Sequence, residues 1–193
     1  MAELRHDERV AVARLHALLE LLPTALDRQL AATGLTSFEF TLLEALHEAD
    51  MGRLRLSALA SRTNATLPRL SRVVTGLERK GLVARMACEA DGRATNAVLT
   101  EAGSRAYRDG RPVYEDAVRR TVLDGLDEEG VGRLADLAYT VLTKLDPDRR
   151  LAVTNEGADE ACGADPADPA PTACAADPAL ADPAACPADP RTD

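Results

Sequence analysis

Along the first three quarters of the chain, apolar residues recur mostly three and four positions apart, the spacing of helices that turn one face to a core. Residues 8–31 place Val10, Leu15, Leu18, Leu19, Leu22, Leu26 and Leu30 on one broad face. Pro23 is expected to bend this first helix and Gly34 to end it. Thr36-Ser-Phe-Glu39 has the form of a capping box, and Phe40, Leu43, Leu46 and His47 carry a second helix towards Asp50. Gly52-Arg-Leu-Arg-Leu56 predicts a short extended piece, Ser57–Thr63 a third helix, Asn64–Thr66 a turn and cap, and residues 67–80 a fourth helix stopped by Gly81. The period then changes. Leu82–Cys88 and Thr95–Leu99 read as strands on either side of Glu89-Ala-Asp-Gly-Arg-Ala94, where Asp91-Gly92 is a strong hairpin signal. Thr100 is expected to cap a long helix to about Leu123, kinked at Gly110 and Pro112. Asp127 caps a last helix with Val131, Leu134, Leu137, Ala138, Val141, Leu142 and Leu145 on one face. The pattern is mainly α, six helices, with a helix-turn-helix and a two-stranded β-wing in the middle.

From Pro147 the pattern stops. This segment holds 8 of the 11 prolines and five Ala-Asp-Pro triplets, at 164–166, 167–169, 176–178, 181–183 and 188–190. Proline cannot continue a helix, and small or acidic side chains bury too little surface to offset the entropy of ordering, so 147–193 is expected to be disordered. Cys162, Cys174 and Cys186 lie in it twelve residues apart, without a histidine or a close cysteine pair. Zinc-type spacing is therefore missing, and the cysteines read as part of a drifted low-complexity repeat.

Composition changes the picture in one respect. The chain of 193 residues is 46% apolar but only 3% aromatic, so its core must be built from Leu, Val and Ala. The net charge of −9 looks wrong for a nucleic-acid binder, but it is segregated. Residues 147–193 hold 10 acids and 3 bases, whereas residues 53–93 hold 9 bases and 3 acids. A basic block inside a near-neutral body marks a surface for an anion, and a phosphate backbone is the usual one.

The fourth helix concentrates that block. In Thr66-Leu-Pro-Arg-Leu-Ser-Arg-Val-Val-Thr-Gly-Leu-Glu-Arg-Lys-Gly81, the apolar stripe is Leu70, Val73, Val74 and Leu77. Arg69, Arg72, Gly76 and Arg79 occupy the far side at the same period, with Glu78 as the only counter-charge. Small residues allow close approach, and Arg offers a fork of donors to guanine edges or phosphates. Thr66, Ser71 and Thr75 add hydroxyls to the candidate contact set. Arg93 projects from the hairpin next to this helix. A helix can fill a major groove while a strand pair carries an Arg into the neighbouring narrow minor groove, where negative potential is concentrated. Asp91 can cap the turn and hold Arg93 through a charge-assisted hydrogen bond.

Two linked blocks, Val74-Thr-Gly-Leu-Glu-Arg-Lys-Gly-Leu-Val-Ala-Arg85 and Asp91-Gly-Arg-Ala94 with Val98-Leu-Thr-Glu-Ala-Gly103, resemble the multiple-antibiotic-resistance regulator (MarR) family of winged-helix transcription factors. Residues from about 8 to 146 fit that family's six-helix layout. The resemblance implies a homodimer joined through N- and C-terminal helices. It divides the chain into a dimerisation helix (1–35), a DNA-binding lobe (36–100), two further dimerisation helices (101–146) and the tail (147–193). It also implies binding of a pseudo-palindromic operator in double-stranded DNA, a repressor role, and a small-molecule effector in a crevice between body and lobe. Leucines, Phe40 and His16 would suit that crevice to a small aromatic or lipophilic acid. Pro68 departs from the pattern: it is tolerable in a first helical turn but removes a backbone donor for phosphate.

Other classes find less support. There is no GxSxG, no phosphate-binding glycine loop and no HExxH, so no enzyme and no cofactor are expected. The alternative is a metal- or redox-responsive regulator on the same scaffold. His16 and His47 could meet with Glu20 or Glu44 nearby, and Cys88 enters the wing, where oxidation would disturb DNA binding. The reading without a bound metal, and with a reduced thiol, is preferred. No run of 18 apolar residues exists and the N-terminus has no apolar signal core, so a cytoplasmic protein without a membrane partner is expected.

Overall fold

The computed structural model describes residues 3–87 and 95–154. Within them the order is α1 (His6–Leu30), α2 (Ser37–Glu48), β1 (Arg53–Arg55), α3 (Leu56–Arg62), α4 (Leu67–Arg79), β2 (Val83–Ala87), β3 (Thr95–Leu99), α5 (Glu101–Val118) and α6 (Glu128–Leu145). The capping signals act where the sequence places them. Thr36 Oγ1 accepts from the Glu39 N–H at 3.1 Å, and the Glu39 carboxylate accepts from the Thr36 N–H at 2.9 Å. Thr100 Oγ1 accepts from the Gly103 N–H, and Asp127 from that of Gly130. Gly34 and Gly81, with φ of +72° and +71°, take the left-handed conformation that lets the chain leave a helix sharply.

The extended piece expected at 53–55 is a strand that pairs with β3, so the two-stranded wing of β2 and β3 is part of a three-stranded antiparallel sheet of order β1-β3-β2. α5 runs through Gly110 and Pro112 as one helix, because buried Gly103, Tyr107, Gly110 and Ala117 keep one continuous face towards its neighbours. A π-helical turn follows it at Arg119–Leu123. Finally, residues 147–154 are not disordered. The Asp146 carboxylate accepts from the N–H groups of Arg150 and Leu151 and from the Thr154 hydroxyl, and Thr154 is fully buried. Residues 155–193, with their three cysteines, lie outside the described residues. α1 likewise continues through Pro23 as a single helix.

The core lies in the helix-turn-helix lobe and the start of α5. Leu30, Phe40, Leu42, Leu43, Leu46, Leu59, Leu70, Val74 and Leu77 are fully buried in one cluster, closed by Val83, Ala97 and Tyr107. α1 and α6 differ. Leu15, Leu18 and Leu19 on α1 and Leu137, Val141 and Leu145 on α6 are exposed in the single chain, and no residue of α6 is buried. Among the described residues no helix is long and apolar enough to cross a membrane.

Candidate nucleic-acid interface

α4 presents three rows. Leu70, Val74 and Leu77 form the buried stripe. Beside it, Ser71, Thr75 and Glu78 follow at i, i+4 and i+7 and form a half-buried row facing β2. Arg69, Arg72 and Arg79 lie exposed on the other side.

Arg85 fastens the middle row. It shares the inward face of β2 with buried Val83 and pairs opposite buried Ala97. Its guanidinium reaches back to Glu78 (2.9 Å), to the Ser71 carbonyl (2.9 Å) and to the hydroxyls of Ser71 and Thr75 (both 3.2 Å). Ser71 and Thr75, expected in the contact set, are therefore occupied by a tie between the helix and the wing strand. Glu78, the expected counter-charge of the outer row, neutralises Arg85 instead. The tie fixes the wing's root against α4. Lys80 fixes the other end, bonding both oxygens of Glu39 (2.7 and 2.8 Å) and the Gly34 carbonyl (3.0 Å). Arg62 pairs with Glu48.

These ties take three cations out of the basic block. Among the described residues, Arg69, Arg72 and Arg79 have no carboxylate partner. Arg69 lies over the Phe38 ring at 4.4 Å, a cation–π contact that positions its guanidinium without neutralising it. Arg72 Nε donates only to the Pro68 carbonyl, at 3.3 Å. Thr66 is exposed at the N-cap position, but its hydroxyl caps nothing, contrary to expectation. A polar, positive helix edge is left uncovered, with the strands of a hairpin standing next to it. Asp91, Arg93 and Cys88 lie outside the described residues; β2 and β3 converge on that segment through the pair Ala87–Thr95.

The same architecture occurs in Sco3205, a MarR family transcriptional regulator from Streptomyces coelicolor solved in complex with DNA. The likeness has 34% sequence identity and a TM-score of 0.73, over 76% of this chain and 92% of that one. This chain belongs to the MarR family of transcriptional regulators. AbsC, another MarR regulator from Streptomyces coelicolor, is 32% identical over 76% of this chain and 99% of its own, with a TM-score of 0.71. The MarR family sequence profile matches residues 35–95, which run from the start of α2 into β3. CouR from Rhodococcus jostii RHA1, bound to p-coumaroyl-CoA, shares the fold at 22% identity and a TM-score of 0.57, over 66% of this chain and 87% of that one. No curated protein sequence matches the chain.

The expected effector crevice looks different in this MarR chain. Phe40 is fully buried, stacked on Tyr114 at 4.3 Å and tilted against Tyr107 at 5.4 Å, so it is core rather than wall. His16 is exposed, and His47 packs against Tyr107 at 4.6 Å. Among the described residues no three His, Cys, Asp or Glu side chains gather as a metal site. At the α2–α5 contact, burial first and then Glu48 push the Glu44 carboxyl above its ordinary range, while Arg111 and a hydrogen bond from Tyr107 pull it back.

Proposed function

We propose that this MarR protein acts as a homodimeric repressor that reads a pseudo-palindromic operator and is released by a small aromatic or lipophilic effector. The unpaired arginine row of α4 carries the DNA reading. Three guanidiniums on one exposed edge without a carboxylate partner among the described residues, beside cations tied at Arg62, Lys80 and Arg85, serve an anion that comes from outside. Arg72 and Arg79 are one near-exact helical repeat apart, seven residues, and about 10 Å along the axis. That spacing suits successive contacts along one groove. Thr66 and Arg69 extend the row at the N-terminal end, and Arg93, with Asp91 in support, would extend it into the minor groove from the wing. The apolar rows of α1 and α6 support the dimer. At the rim of the α2–α5 contact, His47, Glu44 and Arg111 offer polar groups to such an effector.

The test is selection of duplexes from a random-sequence pool by the full chain, followed by titration of the enriched sequence. The expected product is two inverted half-sites about one helical turn, roughly 34–36 Å, apart. Arg72→Ala should weaken discrimination by about 1–3 kcal/mol per half-site. A pool with no sequence preference, or an Arg72→Ala chain that binds like the parent, rules the reading out.

A further inference from the structure

A strap after α6 sets the root of the acidic segment that follows Thr154 against α3, the helix before α4. Asp146, at the end of α6, gathers the N–H groups of Arg150 (3.1 Å) and Leu151 (2.8 Å) and the hydroxyl of Thr154 (2.5 Å). The Ser61 hydroxyl on α3 donates to the Arg150 carbonyl. Residues 146–154 thus pin the chain's exit to α3, and only Thr63–Thr66 separate α3 from α4. Beyond Thr154 follow 39 residues with nine acids and one base, the first acid being Glu156. A coil of about twenty residues has a root-mean-square span of about 25 Å, and a 13-residue helix is about 20 Å long. Carboxylates rooted at α3 therefore reach every arginine of the row, at an effective concentration of millimolar order.

We propose that residues 155–193 form an intramolecular acidic competitor that covers Arg69, Arg72 and Arg79 and yields to DNA. The inference rests on α4 being the DNA-contacting helix. The charge densities set the outcome. Nine carboxylates over 39 residues are sparse beside a duplex with one charge per about 1.7 Å. An operator that makes base contacts as well as phosphate contacts displaces the tail. A random duplex offers only the phosphate part and loses more of its affinity to the competition. The tail then raises the ratio of specific to non-specific binding without touching a base.

The tail's own cysteines supply the probe. In the full chain with Cys88, Cys162 and Cys186 changed to Ser, a nitroxide on Cys174 should broaden the amide signals of Arg69, Arg72 and Arg79 at low salt. Added duplex or high salt should restore them. Changing the nine tail acids to their amides should abolish the broadening and tighten binding of a mixed-sequence duplex about tenfold or more at low salt, with the gain fading as salt screens the charges. Unbroadened α4 signals overturn the proposal, including the case in which neutralisation still tightens DNA binding, since that is repulsion at a distance without contact. Broadening in a chain that binds no duplex would keep the tail contact and remove the DNA reading. Tight duplex binding without broadening would remove the tail contact alone.

Discussion

At Gly103 a side chain has nowhere to go: a Cβ there would lie 2.1 Å from the Leu82 carbonyl oxygen and 2.8 Å from Leu99 Cδ1. The first turn of α5 therefore rests directly on the hairpin's root, with the Thr100 hydroxyl within hydrogen-bond distance of the Gly81 and Leu82 carbonyls. Gly103→Ala should cost about 2 kcal/mol or more in a denaturant melt, by forcing the helix off the strand; an unchanged midpoint would show that the contact is looser than this. Arginines divide by the same kind of test. Arg72 projects into solvent, so Arg72→Ala should melt like the parent and lose DNA. Arg85 holds Ser71, Thr75 and Glu78, so Arg85→Ala should lose about 1–3 kcal/mol of stability as well as affinity. Parallel melts and duplex titrations separate the two. The outer row was legible in the sequence because helical period alone decides which residues oppose a stripe of leucines. The role of Arg85 was not. Glu78 is the only acid between residues 53 and 88, so it was bound to attract a cation, but which one depends on how β2 folds back after Gly81.

At the scale of elements, capping signals within four residues were readable except at Thr66, and ties across the fold were not. Thr36, Thr100 and Asp127 cap helices because a hydroxyl or carboxylate three residues before an N–H needs no further context. The strap at 146–154 depends on α3 being present to cover Thr154, which composition after Pro147 could not reveal. Its carboxylate has a definite pH signature. The Thr154 hydroxyl, and next the Leu151 N–H, hold the Asp146 carboxyl below its ordinary range. A depressed folded-state value means that the strap's contribution is complete above the ordinary carboxylate pKa of about 4 and fades as pH falls through the lowered one. Glu44 has the opposite sign. Its raised value favours the fold in acid, and that contribution is lost as pH rises through it. Amide-exchange protection at Leu151 should therefore persist from neutral pH down to about 4 and then drop. In Asp146→Ala it should be low throughout, and protection at Leu70 in the core should stay. Equal protection of Leu151 in both chains would show that the strap is held by something other than Asp146.

For the whole molecule the deciding feature is a helix without a core. α6 has 18 residues and none is buried; Leu137 is 68% exposed and Leu145 75%. An isolated helix of about this length is marginal in water, and most helical stability comes from packing an apolar face. The strap at its C-terminal end ties α6 to the lobe through α3, and Leu15, Leu18 and Leu19 on α1 are exposed as well. Two copies that exchange these faces around a two-fold axis would cover both rows at once, and the same axis would set two α4 helices against one operator. Light scattering of the full chain should then give a dimer at micromolar concentration. Leu137→Glu places a charge in the centre of the α6 row, where in a lone chain it would meet only solvent. It should shift the population to monomer, leave the lobe folded by circular dichroism, and reduce operator affinity far more than Arg72→Ala does, because one half-site alone holds the DNA. A parent that is monomeric at that concentration, or a Leu137→Glu chain that remains a tight dimer, would place the dimer contact elsewhere and leave α6 without an explanation.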